Sequence, residues 1–199
     1  MPRRSKAESE ATAAAILSAA RDLFSRRGYG HVAVEDVAAA CGVTRGAVYH
    51  HYGSRLGLFA AVHGDVQRSV AEAIERATEG VTDPWESLEA GSLAFLRASV
   101  ADDARQVMLV DGPAVLGWAR WRQDDAEASV RLLDDVLGEL AGAGRLDPTD
   151  VPAASALLSG AMNEAALWIA AAPDREAATA RAWGVLRRLL QGLVEGPAR

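Results

Sequence analysis

The residues best suited to chemistry in this 199-residue chain lie close together, between positions 44 and 55. Thr44, Arg45, Gly46, Tyr49 and His50 fall in one short stretch, and Arg55 follows. An arginine can meet the O6 and N7 atoms of a guanine with two parallel hydrogen bonds. Tyrosine, histidine and arginine side chains suit phosphate oxygens, as do the free backbone amides at the start of a helix. A threonine just ahead of a helix caps those amides. The chemistry offered is therefore recognition of a nucleic-acid duplex, with Arg45 reading a base and Tyr49, His50 and Arg55 holding the backbone.

Other chemistries find little support. His50, His51, His31 and Cys41 contain no pair spaced i, i+4 on one helix, so no metal site is expected. Cys41 reads as a small apolar residue at a helix interface. No nucleophile elbow, metalloprotease helix signature or phosphate loop occurs, and the many acidic residues are scattered along helix faces. No catalytic residue, metal or cofactor is expected, and the chain does not read as an enzyme.

Positioning a short reading helix requires a partner helix at a fixed angle, and the segment 34–52, VEDVAAACGVTRGAVYHHY, supplies one. Two short helices about a glycine turn make a helix-turn-helix, over about 32–51. Ala38 keeps the two helices close. Gly42 sits where the chain must turn with positive φ. Val37, Val43 and Val48 lock the pair, which leaves Thr44, Arg45, Gly46 and Tyr49 toward the exposed leading end. Charge agrees with this. Residues 1–55 carry a net +3, residues 56–199 a net −9, and the whole chain −6. A polyanion partner is implied for the first part only.

The rest of the chain reads as helix, with Ala abundant and no strand-like alternation. The fold expected is all-α, about nine helices, in two parts. Residues 1–9 form a flexible basic arm with Arg3, Arg4 and Lys6. Residues 10–55 form a three-helix DNA-binding domain, and 56–80 a connecting helix. Residues 81–199 form a larger helical domain that opens on the capping sequence TDPWE. The first helix is read from about Glu10 to Arg27, and a short helix over 105–117 is read as broken at Asp111-Gly112-Pro113. The most apolar stretch, 151–173, holds Asn163 and Glu164 at its centre, so no membrane span is expected. Glu8 and Glu10 argue against a secretory signal, and the location expected is cytoplasmic.

Residues 10–60 resemble the DNA-binding domain of TetR-family (tetracycline-repressor-like) regulators. The resemblance runs through Thr12, Ile16, Leu17, Ala19, Ala20, Leu23, Phe24 and Gly28, then Val37, Ala38, Gly42, Val43, Gly46, Tyr49, His50, Tyr52 and Leu58. DGPAVLGWARW (111–121) and NEAALWIA (163–170) look similar to segments in a subgroup of the family. The resemblance implies an all-helical homodimer with a divergent ligand-binding second domain. Four positions depart from the family pattern. Val32 and Ala33 stand where Thr or Ser usually caps the first short helix, Arg55 replaces a lysine, and Tyr52 replaces a phenylalanine.

The expected function is a sequence-specific transcriptional regulator that binds a palindromic double-stranded DNA operator as a homodimer. The form expected is a repressor relieved by a small, largely apolar effector. The alternatives are a helical protein-interaction module without DNA binding and a small all-α enzyme. Large apolar residues beside the expected helix break, Phe95, Met108, Trp118, Trp121, Met162 and Trp168, are the candidate pocket, with plain core packing as the competing reading. Small residues Ala156, Gly160 and Ala166, and the stripe Val185, Leu186, Leu189 and Leu190, are the candidate dimer interface. Asn163 and Glu164 need a polar partner, which is open between ligand, second subunit and another helix.

Overall fold

The computed structural model describes residues 6–194. Arg3 and Arg4 of the expected basic arm lie outside the described residues. Nine helices are present among the described residues, and no strand. They are α1 (Lys6–Arg27), α2 (Val34–Ala40), α3 (Arg45–Tyr52), α4 (Arg55–Thr78), α5 (Pro84–Ser99), α6 (102–116), α7 (118–142), α8 (Val151–Ala171) and α9 (Arg175–Val194). Helix α1 begins at Lys6, earlier than the apolar periodicity alone suggests. No helix among the described residues is long and apolar enough to cross a membrane.

The chain divides into two compact units. Among the described residues, the first comprises 6–66 together with Asp102–Trp121; the second comprises Gln67–Ala101 together with 122–194. The boundary falls inside α4 and inside α7. Residues 102–121, which the sequence reading placed in the second domain, cluster with the helix-turn-helix instead.

In the first unit, Ile16, Ala20 and Phe24 recur every four residues on α1 and are fully buried. Leu58, Phe59 and Val62 of α4 are fully buried as well. The Phe24 and Phe59 rings pack edge to face at 5.4 Å, and Tyr29 packs on Phe59 at 4.9 Å. Each buried phenylalanine contributes about 1.5–3 kcal/mol by leaving water, so this aromatic cluster anchors the short helices around it. Arg21 ties α1 to α4 through Asp65 at 2.8 Å and to α6 through Asp103 at 2.7 Å. Partial burial opposes the Arg21 charge, but the two carboxylates hold its pKa above the ordinary guanidinium value.

Helix α6 corrects the expected break at Asp111-Gly112-Pro113. The helix runs through this sequence and loosens just before it, into π geometry over Gln106–Asp111. A proline lacks an N–H, and a π turn is one way a helix accommodates the missing bond. In a π register the residue five on from Met108 is Pro113, which has no N–H to offer the Met108 carbonyl. The Trp121 indole N–H donates to it instead, at 2.8 Å. The close approach needs Gly112, because a Cβ there would stand 2.9 Å from Trp121 Cδ1 and 3.0 Å from the Val107 carbonyl.

In the second unit, Asp83 caps α5 by accepting from the Glu86 N–H at 2.9 Å, with Pro84 in the first turn as expected. Helices α5, α7, α8 and α9 pack through Leu88, Phe95, Leu96, Leu137, Leu140, Ile169, Leu186 and Leu190. Helix α7 carries a second π turn, Ala126–Val130.

Candidate functional site

The helix-turn-helix is locked from inside. Val37, Ala38 and Val48 are buried. Gly42 turns the chain with φ of +66°, and the Val43 N–H then bonds the Ala38 carbonyl at 3.0 Å. Cys41 is half-buried, and its thiol donates to the Val37 carbonyl at 3.0 Å. Tyr52 pins the end of α3 to α1, donating its hydroxyl to the Ala13 carbonyl at 2.7 Å. Burial, and then the Asp65 charge, raise the Tyr52 phenol above its ordinary pKa.

The cap missing at Val32 and Ala33 is made from the other side. Asp36 reaches back and accepts from the Ala33 N–H at 2.8 Å, while Val32 is buried. Sequence reasoning missed this contact, although a carboxylate three residues into the helix was its signal.

Thr44, Arg45, Gly46, Tyr49 and His50 share the exposed face of α3. Thr44 Oγ1 accepts from the Ala47 N–H at 3.2 Å, which starts the helix. A Cβ on Gly46 would meet only Thr44 Oγ1, at 3.8 Å. The glycine is therefore not demanded by internal packing, and its bare backbone faces outward. Arg45 is held by Glu35 at 2.7 Å and by the Tyr49 hydroxyl at 3.3 Å, with its guanidinium 5.2 Å from the Tyr49 ring centre. The Tyr49 hydrogen bond, and then the Glu35 charge, raise the Arg45 pKa further. Arg55 stands apart from this face. It is half-buried, donates to the Tyr29 carbonyl and lies 4.0 Å from the Tyr29 ring centre. Tyr29 in turn donates its N–H to Asp111 at 2.7 Å. Arg55 thus fastens the turn after α1.

A second feature lies wholly in the second unit. A cavity of about 90 Å³ is walled by Ile74, Leu88, Phe95, Leu133, Val136 and Met162, with Asp125, Ser129, Ser92 and Ser159 also on its lining. Of the six residues expected at a pocket, Phe95 and Met162 line this one. Met108 and Trp121 are buried in the first unit and bonded to each other. Trp118 is 67% exposed, and Trp168 is exposed beside a shallow groove formed with Pro173, Ala177 and Arg181. The polar end of the cavity centres on Asp125, 1% exposed, whose Oδ2 accepts from Asn163 at 2.9 Å and Arg122 at 3.0 Å. Ser159 donates to the same oxygen at 3.4 Å. Asn163 is thereby placed in the core against α7, whereas Glu164 faces outward.

The residues expected at a dimer interface separate into two sets. Ala156, Gly160, Val185 and Leu189 lie exposed on α8 and α9, and Leu157 and Leu167 on α8 are exposed as well. Ala166, Leu186 and Leu190 face inward and are buried in the second unit.

The family model described as "Bacterial regulatory proteins, tetR family" matches residues 16–62, and one described as "Tetracyclin repressor-like, C-terminal domain" matches residues 85–193. A TetR-family transcriptional regulator from Pectobacterium atrosepticum is 32% identical, with a TM-score of 0.82, over 98% of this chain and all of that one. The HTH-type transcriptional repressor BepR of Brucella suis is 34% identical over 107 residues, which is 53% of this chain and 51% of BepR. The regulator AcrR of Shigella flexneri is 29% identical over 110 residues, 55% of this chain and 51% of AcrR. The chain thus spans about half the length of these curated relatives. RolR, solved in complex with resorcinol, shares the fold with a TM-score of 0.70 at 18% identity, over 98% of each chain.

Proposed function

The chain belongs to the tetR family of bacterial regulatory proteins, and from that premise we propose that it is a cytoplasmic, non-enzymatic transcriptional repressor that binds a palindromic operator as a homodimer and is released by a small molecule. The observation that carries this reading is the exposed face of α3. Its N-cap, its bare backbone at Gly46 and the Arg45–Tyr49 pair all sit where a recognition helix meets base edges and phosphates. The relatives named as repressors and regulators support it.

The exposed apolar faces of α8 and α9 support a dimer, since two such helices from each subunit form a two-fold four-helix bundle. The symmetry suits half-sites about 34–36 Å apart. The cavity supports a ligand, and the resorcinol complex of RolR is a precedent for small-molecule binding on this fold. Helix α4 offers the route between them. Leu58, Phe59 and Val62 at its start pack in the first unit, while Ile74 and Thr78 near its end line the cavity. A ligand that favours a different tilt of α4 respaces the two recognition helices, and only that difference in affinity can shift the balance.

The test is direct. Duplex fragments selected from genomic DNA are titrated by fluorescence anisotropy at several salt concentrations. Sequence-dependent affinity that falls steeply with salt is expected. Affinity indifferent to both sequence and salt would overturn the proposal.

A further inference from the structure

Arg45 is not loose on the surface. Its side chain is 61% exposed, yet two neighbours on different helices hold it. Glu35, in the first turn of α2, lies 2.7 Å from Arg45 Nη1. The Tyr49 hydroxyl, one turn along α3, accepts from Nη2 at 3.3 Å. Both terminal nitrogens are thus tethered. A guanidinium carries five N–H groups in a planar fork. Three remain, and two suffice for the O6 and N7 of a guanine.

Glu35 contributes little to the fold. Asp36, not Glu35, closes the start of α2 by accepting from the Ala33 N–H. The Glu35 side chain is 56% exposed, and an exposed ion pair adds little stability. On a surface that meets DNA the same carboxylate is unfavourable, because it repels phosphates whatever the base sequence.

Placing that carboxylate against Arg45 has two effects. An arginine already held loses less side-chain freedom when it meets a base. A duplex with no guanine at that position gains nothing from Arg45 and still meets the repulsion, while Glu35 keeps the guanidinium from a nearby phosphate. A penalty on every sequence combined with a gain on one produces discrimination.

Building on the reading of Arg45 as the base-contacting residue, we propose that Glu35 is a specificity-determining positioning residue of the DNA interface. It holds the Arg45 guanidinium for one guanine and weakens binding to every other duplex.

The test is a double-substitution cycle of Glu35→Ala and Arg45→Ala in the full chain. Fluorescence anisotropy is measured with a duplex that the wild-type chain selects from genomic fragments, with each single base-pair replacement in it, and with an unrelated duplex. Arg45→Ala should flatten the preference at one guanine pair. Glu35→Ala should lower the preference at that same pair about threefold to fivefold, the range of an exposed ion pair, and leave the other positions unchanged. It should tighten the unrelated duplex about twofold to threefold at low salt, a gain that shrinks as salt screens the charge. In the Arg45→Ala background, Glu35→Ala should change base preference at no position, because residues acting through one contact are not additive. The melting temperature of Glu35→Ala should stay within about 2 °C of wild type, as for most surface substitutions.

Undiminished preference in Glu35→Ala, while Arg45→Ala flattens the guanine pair, would overturn the role of Glu35 and leave Arg45 as the base reader. Two other results would do the same. One is a preference that rises in Glu35→Ala, which makes the carboxylate a restraint on Arg45. The other is a loss that persists in the Arg45→Ala background. If Arg45→Ala flattens no position, the premise fails and the inference with it, while DNA binding by the chain stands.

Discussion

Trp121 and Trp118 are three residues apart and chemically identical, and replacing each by phenylalanine should give opposite results. The Trp121 indole N–H donates to the Met108 carbonyl, whose π-register partner, Pro113, has no N–H to offer. Trp121→Phe removes that donor within a fully buried environment. An unsatisfied buried carbonyl costs about 1–3 kcal/mol. The smaller ring also leaves a void, at about 24 cal/mol per Å³ of unfilled volume, which adds roughly 1 kcal/mol. The total is about 2–4 kcal/mol, or a drop in Tm of about 5–15 °C for a chain of this length. Trp118 is 67% exposed, and no hydrogen bond depends on its indole for satisfaction of a buried group. Trp118→Phe should fall within about 0.5 kcal/mol of wild type. Thermal unfolding followed by circular dichroism, with urea titrations to check the slope, measures both. Equal effects of the two substitutions would refute the argument that Trp121 completes the α6 backbone.

Arg45→Ala should cost about tenfold or more in preference for operator over competitor duplex in anisotropy titrations, as expected for a lost base contact. Gly46→Ala should not lower the melting temperature, because a Cβ there meets only Thr44 Oγ1 at 3.8 Å and alanine favours the helix, yet it should weaken operator binding by blocking backbone approach. Leu157→Glu with Leu189→Glu, at positions 74% and 58% exposed, should leave the helical signal intact and give a monomer in sedimentation velocity. Tyr52 has a phenol pKa raised above 10.0 by burial, so the stability it lends is complete below about pH 10 and is lost as pH rises through the folded value. Tyr52→Phe should flatten the alkaline limb of the stability profile, read by circular dichroism alongside tyrosinate absorbance.

The parts of this fold that were legible in the sequence are those specified by near neighbours. Ile16, Ala20 and Phe24 mark one face of α1 by spacing alone. Gly42 and Thr44 mark a turn and a cap within three residues, and Asp83 with Pro84 marks the start of α5. The parts that were not legible depend on residues far apart in the chain. Residues 102–121 join the first unit through Arg21–Asp103 and Tyr29–Asp111, pairs separated by 82 positions. Pro113 suggested a break because proline breaks most helices; whether a π turn and a distant indole absorb it is decided by packing. Arg55 reads as a phosphate ligand from its place after the recognition helix; its further role, donating one N–H to the Tyr29 carbonyl against the Tyr29 ring, depends on a residue 26 positions away.

The pocket shows why residue type alone misdirects such a search. Large apolar side chains were the natural candidates, yet a large side chain in a close-packed interior fills space. Trp121 does this completely, and its one polar atom is used up by Met108. A cavity forms where the chain withholds bulk. The residues that withhold it here are Gly91, Ser92, Ser129 and Ser159, set among Leu88, Phe95, Leu133 and Met162. Gly91 has little slack of its own, since a Cβ there would already lie 3.3 Å from Ile74. The same small residues bring hydroxyls with them. Small size makes the space and the hydroxyls give it polarity, so a cavity built this way acquires a hydrogen-bonding end without any charged residue reaching into it unpaired. The signal for such a site in a helical sequence is therefore serine and glycine on faces that periodicity assigns to the core, which is where Gly91, Ser92 and Ser159 stand.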